Sequence, residues 1–406
     1  MHSVSVSPAP AAAGLRRVLV VLCVTEITSW GILFYAFPVL LGHIHTATGW
    51  TDTSLTAAFS AGQLVAALVG IPVGRWLDRH GPRAVMSAGS LLAVLALIVV
   101  ATAPTLVWFF IGWLLAGVAM GAVLYPPAFA ALTRWHGPNR VRALTVLTLA
   151  AGFASTVFAP LTAALSTHLD WHTTYLVLAT VLAVVTVPAH WFGLKLAWPP
   201  PEVEPDHAHH APAGSTARSP AFVALAIALS VTGFASFAAI VTLVPLLTER
   251  GLDVGLAAVA LGLGGAGQVA SRLGYSAFAA RTSLRTRTLT ILLAIAATTM
   301  LLGIFTTAAA LVTVAIIAGM ARGVFTLLQA TAITDRWGTT HYGHLTALLS
   351  APLTISLAMA PFAATALAAA VGGYANAFRI LGALAAAAAL VSLASIPTPP
   401  SKEHRS

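Results

Sequence analysis

The scarcest thing in this sequence is charge. Asp, Glu, Lys and Arg make up 8% of its 406 residues, against roughly 25% in an average soluble domain. So small a supply cannot coat a water-facing surface, and a soluble globular protein is excluded. Cysteine is nearly absent too: Cys23 stands alone inside an apolar run. That rules out a disulfide framework and a thiolate metal site, and leaves the redox compartment open. The spans hold no carboxylate pair, metal-ligand set or nucleophile constellation, which argues against an enzyme and against a bound cofactor. A phosphate-binding loop is missing as well. The Gly262–Gly267 run lacks the following Lys-Ser/Thr and lies in an apolar helix, so direct ATP drive is excluded and close helix packing explains the glycines.

What is abundant is hydrophobic sequence, 58% of the chain, with a mean hydropathy of +0.91. Apolar runs of about 20 residues, the length that crosses a bilayer, recur from end to end. Breaks at charge, Pro and Gly clusters place spans at 18–41, 54–75, 84–103, 106–132, 143–166, 173–194, 220–247, 255–280, 288–305, 309–333, 345–370 and 378–396. The expected fold is an all-α membrane protein of twelve transmembrane helices. The first span is too long for a signal-peptide core, carries Glu26 in its middle and lacks a small-residue cleavage site. Arg16-Arg17 reads as a topology anchor.

The net charge of +9 could suggest a nucleic-acid partner, but the basic residues are scattered between apolar runs and build no basic face. Their distribution marks topology. With the termini and even-numbered loops in the cytoplasm, 16 of the 20 Lys and Arg residues lie on that side, as the positive-inside rule requires. Only Arg250 and Arg379 fall at the other face, while Arg272 and Arg322 lie within spans.

The chain divides into a cytoplasmic segment 1–17, a six-helix bundle 18–196, a cytoplasmic linker 197–219, a second bundle 220–397 and a tail 398–406. The linker is rich in Pro, His and acid, and reads as extended and poorly ordered. Its Asp206-His207-Ala208-His209-His210 could hold a divalent metal weakly, though a solvated linker is the plainer reading.

Laying one bundle over the other reveals an internal repeat. Thr25, Ser29 and Pro38 match Thr232, Ser236 and Pro245, and Ala61-Gly62-Gln63 matches Ala266-Gly267-Gln268. Gly117, Gly121 and Arg134-Trp135 match Gly319, Gly323 and Arg336-Trp337, and Ala159-Pro160 matches Ala360-Pro361. Two pseudo-symmetric six-helix bundles imply a substrate site near the midplane between them, reached alternately from each side.

Leaving the second span, the chain runs Gly74-Arg75-Trp76-Leu77-Asp78-Arg79-His80-Gly81-Pro82-Arg83. This resembles the loop signature of the major facilitator superfamily, G-x-x-x-D-R-x-G-x-R, with Gly74, Asp78, Arg79, Gly81 and Arg83 in place. Gly74 permits close helix approach, Asp78 can accept hydrogen bonds or oppose a helix N-terminus, Gly81-Pro82 turns the chain and the arginines meet the anionic leaflet. The resemblance implies a gating loop that latches the two halves on the cytoplasmic side. The second-half equivalent of Asp78 is Ser283, which makes the latch asymmetric. In span five, residues 155–164 resemble the family's antiporter-associated G-x-x-x-G-P-x-x-G-G, with Ser or Ala at every Gly.

Glu26, Arg272 and Arg322 are ionisable groups deep in spans, each a functional candidate. In the superfamily, spans one, four, seven and ten line the cavity, which would include Glu26 and Arg322. Arg322, Thr326 and Gln329 form one polar stripe; Gln268, Arg272 and Tyr275 form another. Such stripes face protein or water. Trp30 and Tyr35 lie near Glu26 in sequence. Two arginines against one carboxylate favour an anionic substrate held by a bidentate arginine contact. The arginine on span eight is similar to that of monocarboxylate and oxalate/formate-type transporters, with Gln268 where an acidic partner is expected. Glu26 is the candidate proton-coupling group: burial favours the neutral acid, a neighbouring arginine favours the carboxylate, and alternation moves a proton. The plainer alternatives are interhelical ties for each group, or a direct Glu26–arginine ion pair. His43, His45, His168 and His172 read as solvated loop histidines, and His190 as a packed residue near the inner end of span six.

The expected protein is thus a multi-pass secondary transporter of the inner or plasma membrane. Arg322, Arg272, Gln329, Tyr35 and Trp30 would bind a small organic anion, with protons as coupling ions, membrane lipid as surroundings, no nucleic-acid partner and a monomeric state. The alternatives are a proton-coupled exporter of drugs or hydrophobic metabolites, suggested by Trp30, Tyr35 and Phe37, and a non-transporting membrane sensor.

Overall fold

A computed structural model describes residues 12–199, 216–337 and 342–396. Twelve helices among them are long and apolar enough to cross a membrane. They are α1 (Ala12–Thr48), α2 (Asp52–His80), α3 (Pro82–Ala101), α4 (Leu106–His136), α5 (Arg142–Ser166) and α6 (Trp171–Gly193), followed by α7 (Pro220–Val241), α8 (Val254–Arg281), α9 (Leu284–Ile304), α10 (Ala308–Thr331), α11 (Leu348–Val371) and α12 (Tyr374–Ser395). Their order and number are those expected from hydropathy. The Asp206–His210 metal candidate, the first 11 residues and the tail from 397 lie outside the described residues.

Helix starts are written in side chains that accept the orphan N–H groups of the first turn. Thr51, Asp170, Asp253 and Ser283 each accept the main-chain N–H three residues on, at 2.7–3.1 Å. Pro82 and Pro220 occupy the first turn of their helices, where the missing N–H costs nothing.

Interior prolines leave marks of a different kind. In α1 a π-turn, Gly31–Tyr35, interrupts the α-helix. It stands directly before Pro38, which has no N–H for the Phe34 carbonyl and crowds it. Helix α4 bends at Leu124 ahead of Pro126-Pro127. The seventh span, expected as one run over 220–247, breaks at Thr242, with a short helix Leu243–Glu249 beyond it. Pro245 removes the N–H that would have bonded Val241 and ends the regular ladder there.

The chain forms two compact units, Met1–Glu204 and Pro205–Ser406, and the division falls inside the linker expected at 197–219. In each unit the tightest crossing is made by glycines. In the first, a Cβ on Gly62 of α2 would lie 2.5 Å from the Trp113 carbonyl oxygen of α4, and one on Gly117 would collide with the Gly62 main chain. In the second, a Cβ on Gly264 of α8 would lie 3.1 Å from the Ala315 oxygen of α10, and one on Gly319 would collide with the Gly264 main chain. One turn on, Gly121 meets the Ala66 carbonyl and Val69, and Gly323 meets the Gln268 carbonyl and Ser271.

These contacts correct the register of the repeat. Gly62 corresponds to Gly264, Ala66 to Gln268 and Val69 to Ser271, a constant offset of 202. The sequence match of Ala61-Gly62-Gln63 with Ala266-Gly267-Gln268 is three residues out of phase with the packing. In so Gly- and Ala-rich a stretch, a one-turn slip preserves residue types. It does not preserve which glycine faces which helix.

Packing at these crossings has little relaxation available, because the obstacle is backbone. We therefore expect Gly319→Val to destabilise the protein by about 1–3 kcal/mol or more. Gly42→Ala, with nothing within 4 Å of the added methyl group, should be neutral or stabilising by up to ~1 kcal/mol. Unfolding temperatures in detergent discriminate the two; equal losses would contradict the crossing.

Candidate functional site

Within the first unit, Glu26 is fully buried on α1, one turn before the π-turn. The Trp30 indole N–H approaches its carboxylate without making a well-formed hydrogen bond, and the buried Ser29 hydroxyl beside it has no partner. The ion pair among the described residues is Arg287–Asp335, and His45 Nδ1 lies 3.3 Å from Asp52 Oδ1. Glu26 belongs to neither. A buried acid so weakly partnered is costly as an anion and much less so as a neutral group.

Aromatic rings line up next to it. Trp30 packs on Tyr125 of α4 with ring centroids 5.2 Å apart, and on Phe34 at 5.5 Å. Phe34 meets Phe59 of α2 at 5.4 Å, Phe37 stacks on Phe59 at 4.5 Å, and Trp113 of α4 closes edge-on against Phe59 at 4.9 Å. Tyr35, half-buried in the π-turn, touches Phe34 at 5.0 Å. Gly31 leaves the space into which Phe158 of α5 fits. Sequence reasoning finds Trp30, Tyr35 and Phe37, but not the π-turn or the rings contributed by α2 and α4.

The second unit carries the two intramembrane arginines, both half-buried. Arg322 lies at the α8–α10 crossing, its Nη2 3.4 Å from where a Cβ on Gly264 would be. The guanidinium thus lies beside Gly264, whose closer neighbour is the Ala315 carbonyl. One turn along α10, the Thr326 hydroxyl donates to the Arg322 carbonyl at 3.0 Å, and Gln329 continues the stripe half-buried. On α8, Gln268 and Arg272 are half-buried, while Tyr275 is buried with its hydroxyl 3.4 Å from Thr331 Oγ1 of α10. The two stripes therefore lie on a pair of helices that touch.

The loop signature proves mostly helical. Helix α2 runs through Gly74, Asp78 and Arg79 to His80, and α3 begins at Pro82. Gly81 alone is the hinge, at φ +78°, a conformation L side chains rarely adopt. Asp78 acts through its main chain: its carbonyl accepts from Arg134 Nη1 at 2.8 Å and from Trp198 Nε1 at 3.2 Å. Arg83 donates from Nε to the Trp191 carbonyl at 2.9 Å. His190 is packed as expected, fully buried with Nδ1 2.7 Å from the Ser90 hydroxyl. His45 and His172 bond to main-chain carbonyls at helix ends.

The repeated Arg-Trp pair does a similar job in each unit. In the first unit Trp135 Nε1 donates to the Ala197 carbonyl at 3.1 Å and Arg134 lies over the Trp198 ring. In the second, Arg336 donates to the Ser395 carbonyl at 3.0 Å and to Thr288 at 2.9 Å. Both residues of the first pair, and Arg336 of the second, anchor the segment that ends the bundle, while Trp337 packs on Phe222 at the start of α7. Burial pulls the Arg336 guanidinium down to about 10, which leaves it charged at neutral pH. Beside it Arg287 pairs with Asp335. Ser283, which in the corrected register is the counterpart of Gly81 rather than of Asp78, caps α9; Ala280 stands at the position of Asp78.

Twelve apolar helices in two repeated halves, with charge at the helix ends and a few buried ionisable groups, define a polytopic membrane transporter. Residues 19–312 match the model of the Major Facilitator Superfamily. The chain belongs to that family of secondary transporters, and family and fold indicate a transporter rather than an enzyme. Among curated proteins it is 27% identical over 146 residues to an uncharacterized MFS-type transporter, YcxA, of Bacillus subtilis (strain 168), covering 36% of each chain. It is 30% identical over 241 residues to monocarboxylate transporter 11 of Homo sapiens, covering 59% of this chain and 50% of that protein. The matched stretches thus span half or less of these relatives' lengths. Solved structures show the same fold at 14% identity. A bacterial homolog of the human lysosomal transporter Spinster has a TM-score of 0.69, with coverage of 95% and 96%. A point mutant of the nucleoside transporter NupG has a TM-score of 0.74, with coverage of 94% and 100%.

The Arg287–Asp335 pair is partly buried, with side chains 10% and 28% exposed. Asp335→Asn should cost about 1.5–3 kcal/mol by removing a charged hydrogen bond. Replacing both residues with apolar side chains of similar volume should recover much of the loss. Thermal unfolding of the single and double variants measures the difference; full additivity of the two single losses would refute the pairing.

Proposed function

We propose that the protein is a proton-coupled secondary transporter of a small organic anion, working by alternating access as a monomer with both termini in the cytoplasm. The observation that carries this reading is Glu26, fully buried on α1 with no well-formed hydrogen bond to either oxygen. A carboxyl group so placed is stable when protonated, and loses its proton when water or a cation reaches it. That is the behaviour required of a coupling group. Arg322 and Arg272 supply the anion's counter-charge, with a bidentate grip on a carboxylate. Gln329, Trp30 and Tyr35 bind the body of the substrate. The similarity to a relative named as a monocarboxylate transporter supports the same substrate class.

A second reading, proton-coupled export of a hydrophobic compound, draws on the aromatic cluster of Trp30, Phe34, Phe59 and Tyr125. In that case the transported species follows ring contacts rather than arginine, and replacing Arg322 changes little.

Uptake of a radiolabelled monocarboxylate panel into proteoliposomes, with and without a pH gradient, tests both. For anion symport, uptake rises as the pH on the loading side falls, because protonation of Glu26 there precedes inward movement. Glu26→Gln should abolish the response to the gradient; unchanged rate and pH dependence would sink the assignment. Arg322→Ala should weaken apparent affinity roughly 10- to 100-fold, the worth of a charged hydrogen-bonded contact. Retained anion affinity in that variant would favour the exporter.

A further inference from the structure

The end of the first unit that carries the α2–α3 turn holds a cavity of about 430 Å³, lined by His80, Gly81, Pro82, Arg83, Lys195 and Trp198 among others. Its cations are set in place by the fold. Arg83 lies over the Trp191 ring, 4.4 Å from the centroid, and uses only Nε, on the Trp191 carbonyl. Its two terminal nitrogens have no acceptor among the described residues. The Lys195 ammonium sits 5.0 Å from the Phe192 ring centroid, and it too makes no hydrogen bond or ion pair among those residues. The Lys195 carbonyl accepts from Arg17 Nη2 at 2.7 Å, which brings a third cation to the rim. Stacking on an aromatic face orients a guanidinium and leaves its N–H edge open to a two-oxygen acceptor. Helix α3 starts at Pro82 inside the same cavity and adds the positive end of its dipole.

Two further observations narrow the ligand. Trp76, Trp191 and Phe192 flank this end of α2 and α6 and are 51%, 47% and 60% exposed. Large aromatic side chains exposed at the ends of spans belong at headgroup depth. Asp78, the acid of the neighbouring turn, forms no ion pair with Arg83 or Lys195; its main chain is held instead by Arg134 and Trp198. The local charge is therefore left positive, at the level where lipid phosphates lie.

We propose that this cavity binds a phosphate-ester anion, with Arg83 gripping the phosphate oxygens and Lys195 and Arg17 supplying further positive charge. The anion can be the headgroup of an acidic phospholipid or a small soluble phosphate ester. Both present the same tetrahedral oxygens to the same nitrogens. Phosphatidylcholine carries the phosphate too, but its choline cation cancels the charge and meets a positive cavity.

The test uses the full chain in detergent and reads binding, so it stands apart from the transport reading. The unfolding temperature is followed during titration with dihexanoyl phosphatidylglycerol, dihexanoyl phosphatidylcholine or glycerol 3-phosphate. Phosphatidylglycerol should raise it saturably, less so at high salt, while phosphatidylcholine does not at the same concentrations. A matching shift from glycerol 3-phosphate supports the site and identifies a soluble source; a shift confined to the acidic lipid supports it and identifies the membrane. Each cation near the surface is worth roughly fivefold in affinity, so Arg83→Gln with Lys195→Gln should need roughly 25-fold more phosphatidylglycerol. Lys195→Gln alone, which removes no hydrogen bond, should need roughly fivefold more, and Lys195→Arg should bind like the wild type. Equal shifts from the two lipids with none from glycerol 3-phosphate, or unchanged titrations in the Gln variants, would overturn the proposal.

Discussion

Contact between main chains is the constraint from which the rest of each unit follows. Lipid tails are as apolar as leucine, so helices in a membrane gain little by hiding side chains from lipid and much by packing closely. Gly62 against Gly117, and Gly264 against Gly319, bring α2 onto α4 and α8 onto α10 at a separation no side chain could share. Once those crossings are fixed, the neighbours have little choice. Trp113 is driven against Phe59 and Phe37 beside one crossing, and Arg322 is set over Gly264 beside the other. The same joint carries an aromatic wall in one half and a guanidinium in the other.

The ends of the helices are governed by a different economy. There the unpaired carbonyls and N–H groups of each terminus need partners, and long basic and aromatic side chains supply them across large sequence distances. Arg134 reaches the Asp78 carbonyl, Trp135 the Ala197 carbonyl and Arg336 the Ser395 carbonyl. Glu249 does the complementary task, accepting the Tyr374 and Ala375 N–H groups at the start of α12. Charge that sequence arithmetic reads as topology is also mortar between helix ends.

Much of this is legible in the sequence. Hydropathy locates the twelve spans, within a few residues except at both ends of α1 and the end of α7, because a bilayer-crossing helix must be apolar along its whole length. The Gly74–Arg83 pattern points to the family, and burial of Glu26 follows from its place in an apolar run. Three things are not legible. The glycine register reads one turn out, since Gly- and Ala-rich helices resemble themselves at every turn. The partners of Arg287 and Arg134 lie 48 and 56 residues away, and no local pattern announces them. Ala197 and Trp198 read as the start of a Pro-rich linker, yet the Ala197 carbonyl is bound to α4 and the Trp198 indole to α2. Nor does an isolated proline reveal whether the helix before it will kink, break or widen; Pro38, Pro126 and Pro245 are met in three ways.

The widened turn in α1 alters how the span's numbering should be understood. A π-turn holds one residue more than the α-turn it replaces, so every side chain beyond Tyr35 is rotated by about 100° from where an unbroken helix would put it. In an unbroken helix Glu26 and Phe37 would share a face; with the extra residue, that face is continued by Pro38. A relative with a plain α-helix here could match this chain residue for residue through Trp30, and from Ala36 onward would need a one-residue gap to place the same side chains toward the same neighbours. The polar half of α1 and its aromatic half are thus joined by a coupling that a single inserted or deleted residue can turn.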